Sequence, residues 1–413
     1  MIDLHLLREN SEEIKKLILL KEPSFEVDKL LALDQDVRFI RSSVESLRKE
    51  RNELSAAGPL SATPEVRARS IELGKQLKIK EAELEVIEKD LNKLWLACPN
   101  IPQADLPAGG KEANKAVRVI GTKPNFAFDI KNHVELNEKL NWFDMQAAAY
   151  MSGAQFVLYR GLGTKIIYAL TRMMLQNNVK HGFEPIIPPS LVLEKSLYNS
   201  GNLPKFEGDY YKLGDDGLCL IPTAEVSLTN LYAGKILQLE QLPLRLTAWT
   251  SCYRREAGGY GSTERGLIRI HQFEKVELYS ICEPEKSAEE LEYMVSCAEN
   301  LLKKLGLHYR VSLLAMQDCS FSSARTYDIE VWLPGQNRYY EVSSCSNCTD
   351  FQARRSQIRY RKTIDGKPML ANTLNASSLA LPRLMVALME NYQQADGSVE
   401  LPDALKEAMN ELW

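Results

Sequence analysis

Residues 245–256, RLTAWTSCYRRE, and 267–281, LIRIHQFEKVELYSI, flank a glycine-broken loop, and their reading decides the fold of this chain. Side chains alternate across a strand, so residues four apart share one face. Read as two strands of a hairpin, the segments place Arg269, Phe273 and Glu277 on one surface. Arg254 and Glu256, two apart, share a face of the preceding strand by the same rule. The patch then holds guanidiniums, carboxylates and one aromatic plate. Guanidinium forks fit phosphate oxygens and a flat ring fits a nucleobase, so the patch suits a nucleotide. Cross-strand ion pairs on an ordinary surface hairpin give the same spacing, and these residues alone leave both readings open.

Outward from the hairpin the pattern repeats. TYDIEVWLP (326–334) and RYYEVSSCSN (338–347) read as a second strand pair. FEPIIPP (183–189) reads as a strand after a long helix, GTKIIYALTRMMLQNNVKHG, that stops at Gly182, and SLALPRLMVALMENYQ (378–393) reads as a core helix. Hairpin-joined strands with helices around them predict an α+β body built on an antiparallel sheet flanked by helices. Neither G-x-x-x-x-G-K-[ST] nor G-x-G-x-x-G occurs, so P-loop and Rossmann nucleotide sites are not supported.

The N-terminal quarter follows another rule. Leu30, Leu33, Val37, Ile40, Val44, Leu47 and Leu54 step by threes and fours, with Arg51 in one apolar slot. GPLSATPE (58–65) interrupts, and Thr63-Pro64 has the form of a helix start, a hydroxyl N-cap before a proline. A second seam runs through Val66, Leu73, Leu77, Leu84, Ile87, Leu91 and Leu94, with Ser70 and Lys80 as polar slots. Two narrow seams joined by a short turn predict an antiparallel coiled-coil arm over residues 28–97. So thin a seam cannot enclose a catalytic pocket. The distal arm is basic: Arg38, Arg41, Arg48, Lys49, Arg51, Arg67, Arg69 and Lys75 lie where acidic residues are sparse. Such a stripe suits a phosphate backbone, whereas a solvated helix face with ordinary paired charges is the competing reading. The Pro-, Gly- and Ala-rich run PNIPQADLPAGGKEANKA (99–116) marks a linker. The chain therefore divides into a helical domain, 1–105, a linker, 106–129, and a body, 130–413.

With 413 residues there is room for two domains and a large core. The net charge of −4 does not mark a nucleic-acid binder, although a whole-chain value hides a local basic stripe. No segment has signal-peptide form and no apolar run approaches bilayer-crossing length, so a soluble cytoplasmic protein without a membrane partner is expected. The eight cysteines read as reduced thiols. Cys345 and Cys348 form a lone C-x-x-C pair that nothing completes into a zinc site, and no zinc is expected.

Taken in order, these segments resemble one family. The body resembles a class II aminoacyl-tRNA synthetase, and the whole chain is similar to the bacterial-type seryl-tRNA synthetases. The helix plus FEPIIPPSLV matches motif 1, the dimer-forming element, with its proline at Pro188 or Pro189. YRRE, the loop and R-x-x-x-F-x-x-x-E match motif 2, and SLALPR, ending at Arg383, matches motif 3. SGNLPKFEGDYYKL, IPTAEVSL, RGLIRIHQFEKVE and EVSSCSNCTDFQARR match segments of the serine enzymes in the expected order.

The resemblance implies a homodimer that uses ATP and Mg²⁺ to join L-serine to tRNA(Ser) through a seryl-adenylate, and to serylate tRNA(Sec) where that tRNA is present. It implies ATP-binding roles for Arg254, Arg255, Glu256, Ile270, Phe273, Glu341, Val342, Ser343, Ser344 and Arg383. Within that set, Arg254 holds the α-phosphate, Glu256 reads the adenine amino edge, and Phe273 stacks on the base opposite Arg383. Glu341 and Ser344 hold the Mg²⁺, and Arg254, Arg383 and Glu341 form the implied catalytic set. Thr223, Ala224, Glu225, Glu277 and Ser377 surround the serine, whose ammonium needs carboxylates and whose carboxylate needs a cation. The eight arm cations grip the tRNA's long variable stem by backbone and shape. His271 faces away from the site in this pattern and is expected to be structural.

Three departures stand out. Motif 3 is commonly N-G-S-G-L-A-x-G-R, whereas this chain has Ala376, Ser378 and Pro382 at the glycine positions, with less backbone freedom. Arg255 replaces a small polar residue, and the loop GGYGSTERG (258–266) lacks the frequent basic-Asp-Thr run. A coiled-coil scaffold with a degenerate body, and an enzyme that loads a carrier protein, are the other readings. Joint retention of Arg254, Glu256, Phe273, Glu277, Glu341 and Arg383 argues against the first, and the basic arm against the second.

Overall fold

The computed structural model describes residues 1–56, 63–256 and 266–412. The chain divides into two compact units, Met1–Pro99 and Asn100–Trp413.

In the first unit, α1 (Val27–Ala56) and α2 (Pro64–Leu96) are the arm helices. At 1.5 Å per residue, each is on the order of 45 Å long. α2 begins where its sequence predicts, with the Thr63 hydroxyl accepting from the Val66 amide at 3.4 Å. The segment expected to be the connecting turn, 58–62 of GPLSATPE, lies outside the described residues. Ion pairs Arg41–Glu88, Arg48–Glu81 and Glu50–Arg69 cross between the helices, one number falling as the other rises, which fixes them as antiparallel. Ile40, Val44 and Leu77 pack together in the seam, with Leu47, Leu84 and Ile87 half-buried against them. Leu33 does not complete the expected seam; its neighbour Asp34 is the buried residue there. Arg8 reaches both Asp34 oxygens at 3.0 Å and Arg38 reaches one at 3.1 Å, which is how a carboxylate tolerates that position.

The second unit is built on eight strands: β1 (Lys115–Ile120), β2 (Glu184–Ile186), β3 (Leu244–Tyr253), β4 (Gln272–Cys282), β5 (Tyr309–Leu313), β6 (Arg325–Leu333), β7 (Arg338–Asn347) and β8 (Asn372–Ala380). They form one sheet in the order β1-β5-β6-β7-β8-β4-β3-β2. Neighbours run antiparallel except for β2, which lies parallel to β3 at one edge. Most of the helical core residues come from α3 (Leu162–Lys180), α5 (Ser287–Lys304) and α6 (Leu381–Asn391). Leu170, Leu291 and Met385 from these helices join Val276 and Leu278 of β4 in one cluster. A smaller helix, α4 (Ala224–Leu231), packs with Tyr279 of β4 and with Leu246 and Ala248 of β3 in another. The sheet is thus covered on one face by long helices and left partly open on the other, and the odd-numbered residues of β4 point toward the open face.

Two expectations change. Residues 106–129, expected as a linker, include the edge strand β1, which pairs with β5. The strand is short and mostly exposed, so it carries no periodic apolar signal. Ser378–Ala380, read as helix, are strand; α6 starts at Leu381 with Pro382 in its first turn, where a missing amide hydrogen leaves no bond unmade.

Candidate functional site

β4 aims Phe273, Lys275 and Glu277 at the open face by simple alternation, and its register with β3 is regular along this stretch. The rest of the hairpin patch arises differently from the expectation. β3 stops at Tyr253 and β4 starts at Gln272, so Arg254, Glu256 and Arg269 lie beyond the strands. They meet nonetheless. Glu256 takes a left-handed φ of 51° and its carboxylate lies 2.7 Å from Arg269 Nε. The Arg254 guanidinium sits 5.1 Å from the Phe273 ring centre, and its Nε donates to the Pro222 carbonyl at 3.3 Å. His271 is structural: its carbonyl accepts from the Arg254 amide at 2.9 Å and its Nδ1 donates to the Arg254 carbonyl at 3.0 Å. The loop residues 258–265 lie outside the described residues.

Two adjoining clefts share Arg254, Lys275, Glu341 and Ser377. The wider, about 320 Å³, is walled by Thr223, Glu225, Glu277, Ser344 and Asn375, with Phe206 and Tyr210 from the segment before β3 on its far side. The narrower is walled by Glu256, Arg269, Ile270, Phe273 and Arg383. In the wider cleft Glu277, 1% exposed, accepts from Thr223 Oγ1 at 3.1 Å and pairs with Lys275 Nζ at 2.6 Å. Glu225 Oε1 accepts from Gln352 Nε2 at 2.5 Å and from Asn375 Nδ2 at 2.9 Å. Desolvation, joined by the nearby Glu277 charge, pushes the Glu225 carboxyl up to about 7. Two carboxylates against one lysine leave the wall able to take an ammonium, while Arg254 faces both clefts as the cation between them.

Glu341 and Ser344 also reach the open face, although three residues apart in a strand. Alternation would put them on opposite faces. A bulge resolves this: Glu341 lies opposite Glu330 and Ser343 opposite Ile329, so Val342 is an extra residue in β7. Val342 and Ser343, expected near ATP, are buried, and the Ser343 hydroxyl donates to the Ser377 carbonyl at 2.5 Å. The Glu341 carboxylate rests 3.2 Å from Arg383 Nη1. Asp328 of β6 lies opposite Ser344, and its Oδ1 is buried without a hydrogen-bond partner among the described residues. Burial, with the Glu341 charge second, holds the Asp328 carboxyl well above the usual carboxylate range. Hard oxygen donors beside an orphaned carboxylate oxygen fit a Mg²⁺ ion, the group expected from the sequence.

Other expected residues fall outside the clefts. Ala224 is buried at the start of α4. Arg255 is exposed, with its guanidinium 5.9 Å from the Tyr211 ring centre and its amide donating to the Asp209 carbonyl at 2.8 Å. The sequence reading missed Lys275, Asn375 and Gln352. Lys275 was findable, since it lies midway between Phe273 and Glu277 on the same face. Gln352 lies outside the clefts and donates to Glu225 with no local signal, whereas Asn375 donates to Glu225 from the cleft wall and stands at the Asn of motif 3.

On the arm, Arg41, Arg48 and Arg69 are held in ion pairs between the helices, and Arg38 in the pair with Asp34. Lys49, Arg51, Arg67 and Lys75 are exposed. The eight cysteines are free thiols, all buried. Among the described residues, no helix is long and apolar enough to cross a membrane.

Residues 1–102 match the model of the seryl-tRNA synthetase N-terminal domain, and residues 206–392 match that of the class II tRNA synthetase core domain for G, H, P, S and T. The chain is 44% identical to a serine–tRNA ligase of Pseudomonas fluorescens, covering 100% of this chain and 99% of that protein. It is 46% identical to one of Acidithiobacillus ferrooxidans, covering 98% and 97%. Among solved structures, seryl-tRNA synthetase from Pyrococcus horikoshii complexed with ATP superposes with a TM-score of 0.93 at 34% identity, over 99% of this chain and 98% of that one.

Proposed function

This chain belongs to the seryl-tRNA synthetase family, and on that premise we propose that it attaches L-serine to tRNA(Ser) with ATP, through a seryl-adenylate. The observation that carries this reading is Arg254, which faces both clefts, between a carboxylate-walled pocket and the ring of Phe273. Serine occupies the wider cleft, its ammonium toward Glu277 and Glu225, its hydroxyl among Thr223, Ser377 and Glu277, and its carboxylate toward Arg254. ATP occupies the narrower one, with the base over Phe273 and near Glu256, and the terminal phosphates toward Arg269 and Arg383.

A serine carboxylate oxygen attacks the α-phosphorus. The new P–O bond forms as the bond to the bridging oxygen breaks, and pyrophosphate leaves. A ribose hydroxyl at the tRNA terminus then attacks the acyl carbon, loses its proton, and AMP departs. The chain needs no nucleophile of its own, because positioning and charge neutralisation by its arginines lower both barriers. Mg²⁺, held by Glu341 and Ser344, would neutralise charge on the phosphate oxygens. A hydroxyl-binding pocket rejects alanine, which would leave Thr223, Ser377 and Glu277 short of a partner.

The exposed Lys49, Arg51, Arg67 and Lys75 support tRNA binding by the arm, with tRNA(Sec) a second acceptor. Homodimerisation through motif 1 is supported by apolar side chains beside the edge strand β2: Ile187 is 96% exposed, and Tyr168 and Trp249 are partly so. Free, buried cysteines suit the reducing cytoplasm. Serine-dependent exchange of pyrophosphate into ATP tests the core of the reading. Purified protein that exchanges label only when serine is present meets it, and protein that never does sinks it.

A further inference from the structure

β8 carries a bulge of its own beside the site. Val276 of β4 lies opposite Leu379 and Glu277 lies opposite Ser377, so Ser378 is an extra residue without a partner on β4. An extra residue bends its strand and re-aims the side chains next to it, here Ser377 and, across the ladder, Glu277. What holds the bulge in place is a chain of buried polar groups that never enters either cleft. The Ser378 hydroxyl donates to Asn178 Oδ1 at 3.2 Å. Asn178 Nδ2 donates to Thr247 Oγ1 at 2.9 Å, and Thr247 Oγ1 donates to the Glu277 carbonyl at 2.7 Å. Asn178, Thr247 and Ser378 are each 0% exposed.

The chain is a closed circuit. It begins one residue after Ser377 and ends on the main chain of Glu277, the residue opposite. Its middle is anchored at the last turn of α3. The Asn178 carbonyl accepts from the amides of His181 and Phe183, both at 3.0 Å. Neighbouring Asn177 donates to the Cys297 carbonyl at 3.0 Å and accepts from Asn300 at 2.7 Å. From the other side, Ser343 grips the Ser377 carbonyl. The bulge is therefore tied on both sides, once to α3 and once to β7. Where the commoner motif has glycine, a residue without a side chain could make no such tie.

Resting on the serine-pocket reading above, we propose that Asn178, with Thr247 and Ser378, is a positioning residue. It couples the helix of motif 1 to the two groups, Glu277 and Ser377, that recognise the amino acid. Ser377 borders both clefts, but Arg254, Glu256, Phe273, Arg269 and Arg383, which line the ATP cleft, make none of the circuit's hydrogen bonds. Loosening the circuit should therefore disturb serine and spare ATP.

The test is steady-state ATP–pyrophosphate exchange by the full-length protein, wild type against Asn178→Ala, Ser378→Ala, Thr247→Val and Thr247→Ser. For Asn178→Ala the expected result is a serine KM raised roughly tenfold, with the ATP KM within about twofold of wild type. Thr247→Val should behave likewise, and Thr247→Ser, which keeps the hydroxyl, should restore the wild-type serine KM. Unchanged serine KM across the set overturns the proposal, and so does a rise in both KM values together, which marks general loosening. If Asn178→Ala fails to fold, Ser378→Ala removes a single oxygen from a bulge that remains, and carries the comparison with an expected rise of roughly threefold. Wild-type protein without serine-dependent exchange fails the serine reading itself, an outcome distinct from active enzyme with indifferent variants.

Discussion

On the arm, Arg48 and Glu81 meet at 2.7 Å with side chains 56% and 44% exposed; in the body, Lys275 and Glu277 meet at 2.6 Å with 8% and 1% exposed. The distances are nearly equal and the consequences are not. An exposed pair exchanges one set of water contacts for another and contributes about 0.2–1 kcal/mol. A buried pair has surrendered its water, so removing one partner strands the other at about 3–5 kcal/mol. The arm can therefore spend its charges on an external partner with little effect on its own fold. The body cannot, because its charges are buried and fixed to one geometry.

This contrast can be broken or sharpened experimentally. The largest expected effect is separation of the two regions: deleting residues 28–97 should lower tRNA charging by about 10⁴ while serine-dependent exchange stays within about twofold. Persistence of charging would remove the arm from tRNA recognition, and loss of exchange would make the regions interdependent. Next, Lys275→Met should lower the unfolding free energy in urea by about 3–5 kcal/mol, because Glu277 is left buried and unpaired. A loss below about 1 kcal/mol would put this pair in the same class as the arm pairs.

Glu225 supplies a pH signature. Its carboxyl is raised from 4.5 to about 7 in the folded chain. Between those values the unfolded chain has released a proton that the folded one still holds, so this group lowers stability as pH rises across that window. An ammonium favours the ionised form, so serine KM should fall as pH climbs through about 7. Glu225→Gln should flatten both profiles, and parallel profiles for variant and wild type would remove Glu225 from ammonium recognition. The smallest effect belongs to Arg48→Ala, expected to change stability by less than about 1 kcal/mol in the same urea series. A larger loss would mean that the arm's charges are structural after all.

The two regions were also unequally legible. Long helices write their packing into a repeat of three and four, so both arm helices and the Thr63 cap could be read directly. The exception, Asp34, depends on Arg8, a residue distant in sequence, and no local pattern encodes it. In the body, the alternation of β4 gave Phe273 and Glu277, and the same rule contained Lys275. The Glu341–Ser344 pair follows from family resemblance but contradicts alternation. It is reconciled by a bulge at Val342 that rests on contacts between strands. Arg254 and Glu256 were placed on a strand that ends one residue earlier, and they converge on the cleft through irregular backbone whose left-handed Glu256 has no signature in residue type. Edge strand β1 was hidden because exposure on both faces erases periodicity.

The two bulges, at Val342 and Ser378, make the site a device of parity. On each of these strands, residues separated by an odd number share a face, Glu341 with Ser344 on one and Ser377 with Ala380 on the other. A single inserted or deleted residue between either pair would flip one member from the cleft to the core while leaving every cleft-lining side chain present in the sequence. An inventory of residue types would then still read as an intact enzyme. Changes in these two segments are therefore tolerable only as substitutions or in compensating steps of two, and a chain that has lost one residue there should be counted inactive however complete its motifs look.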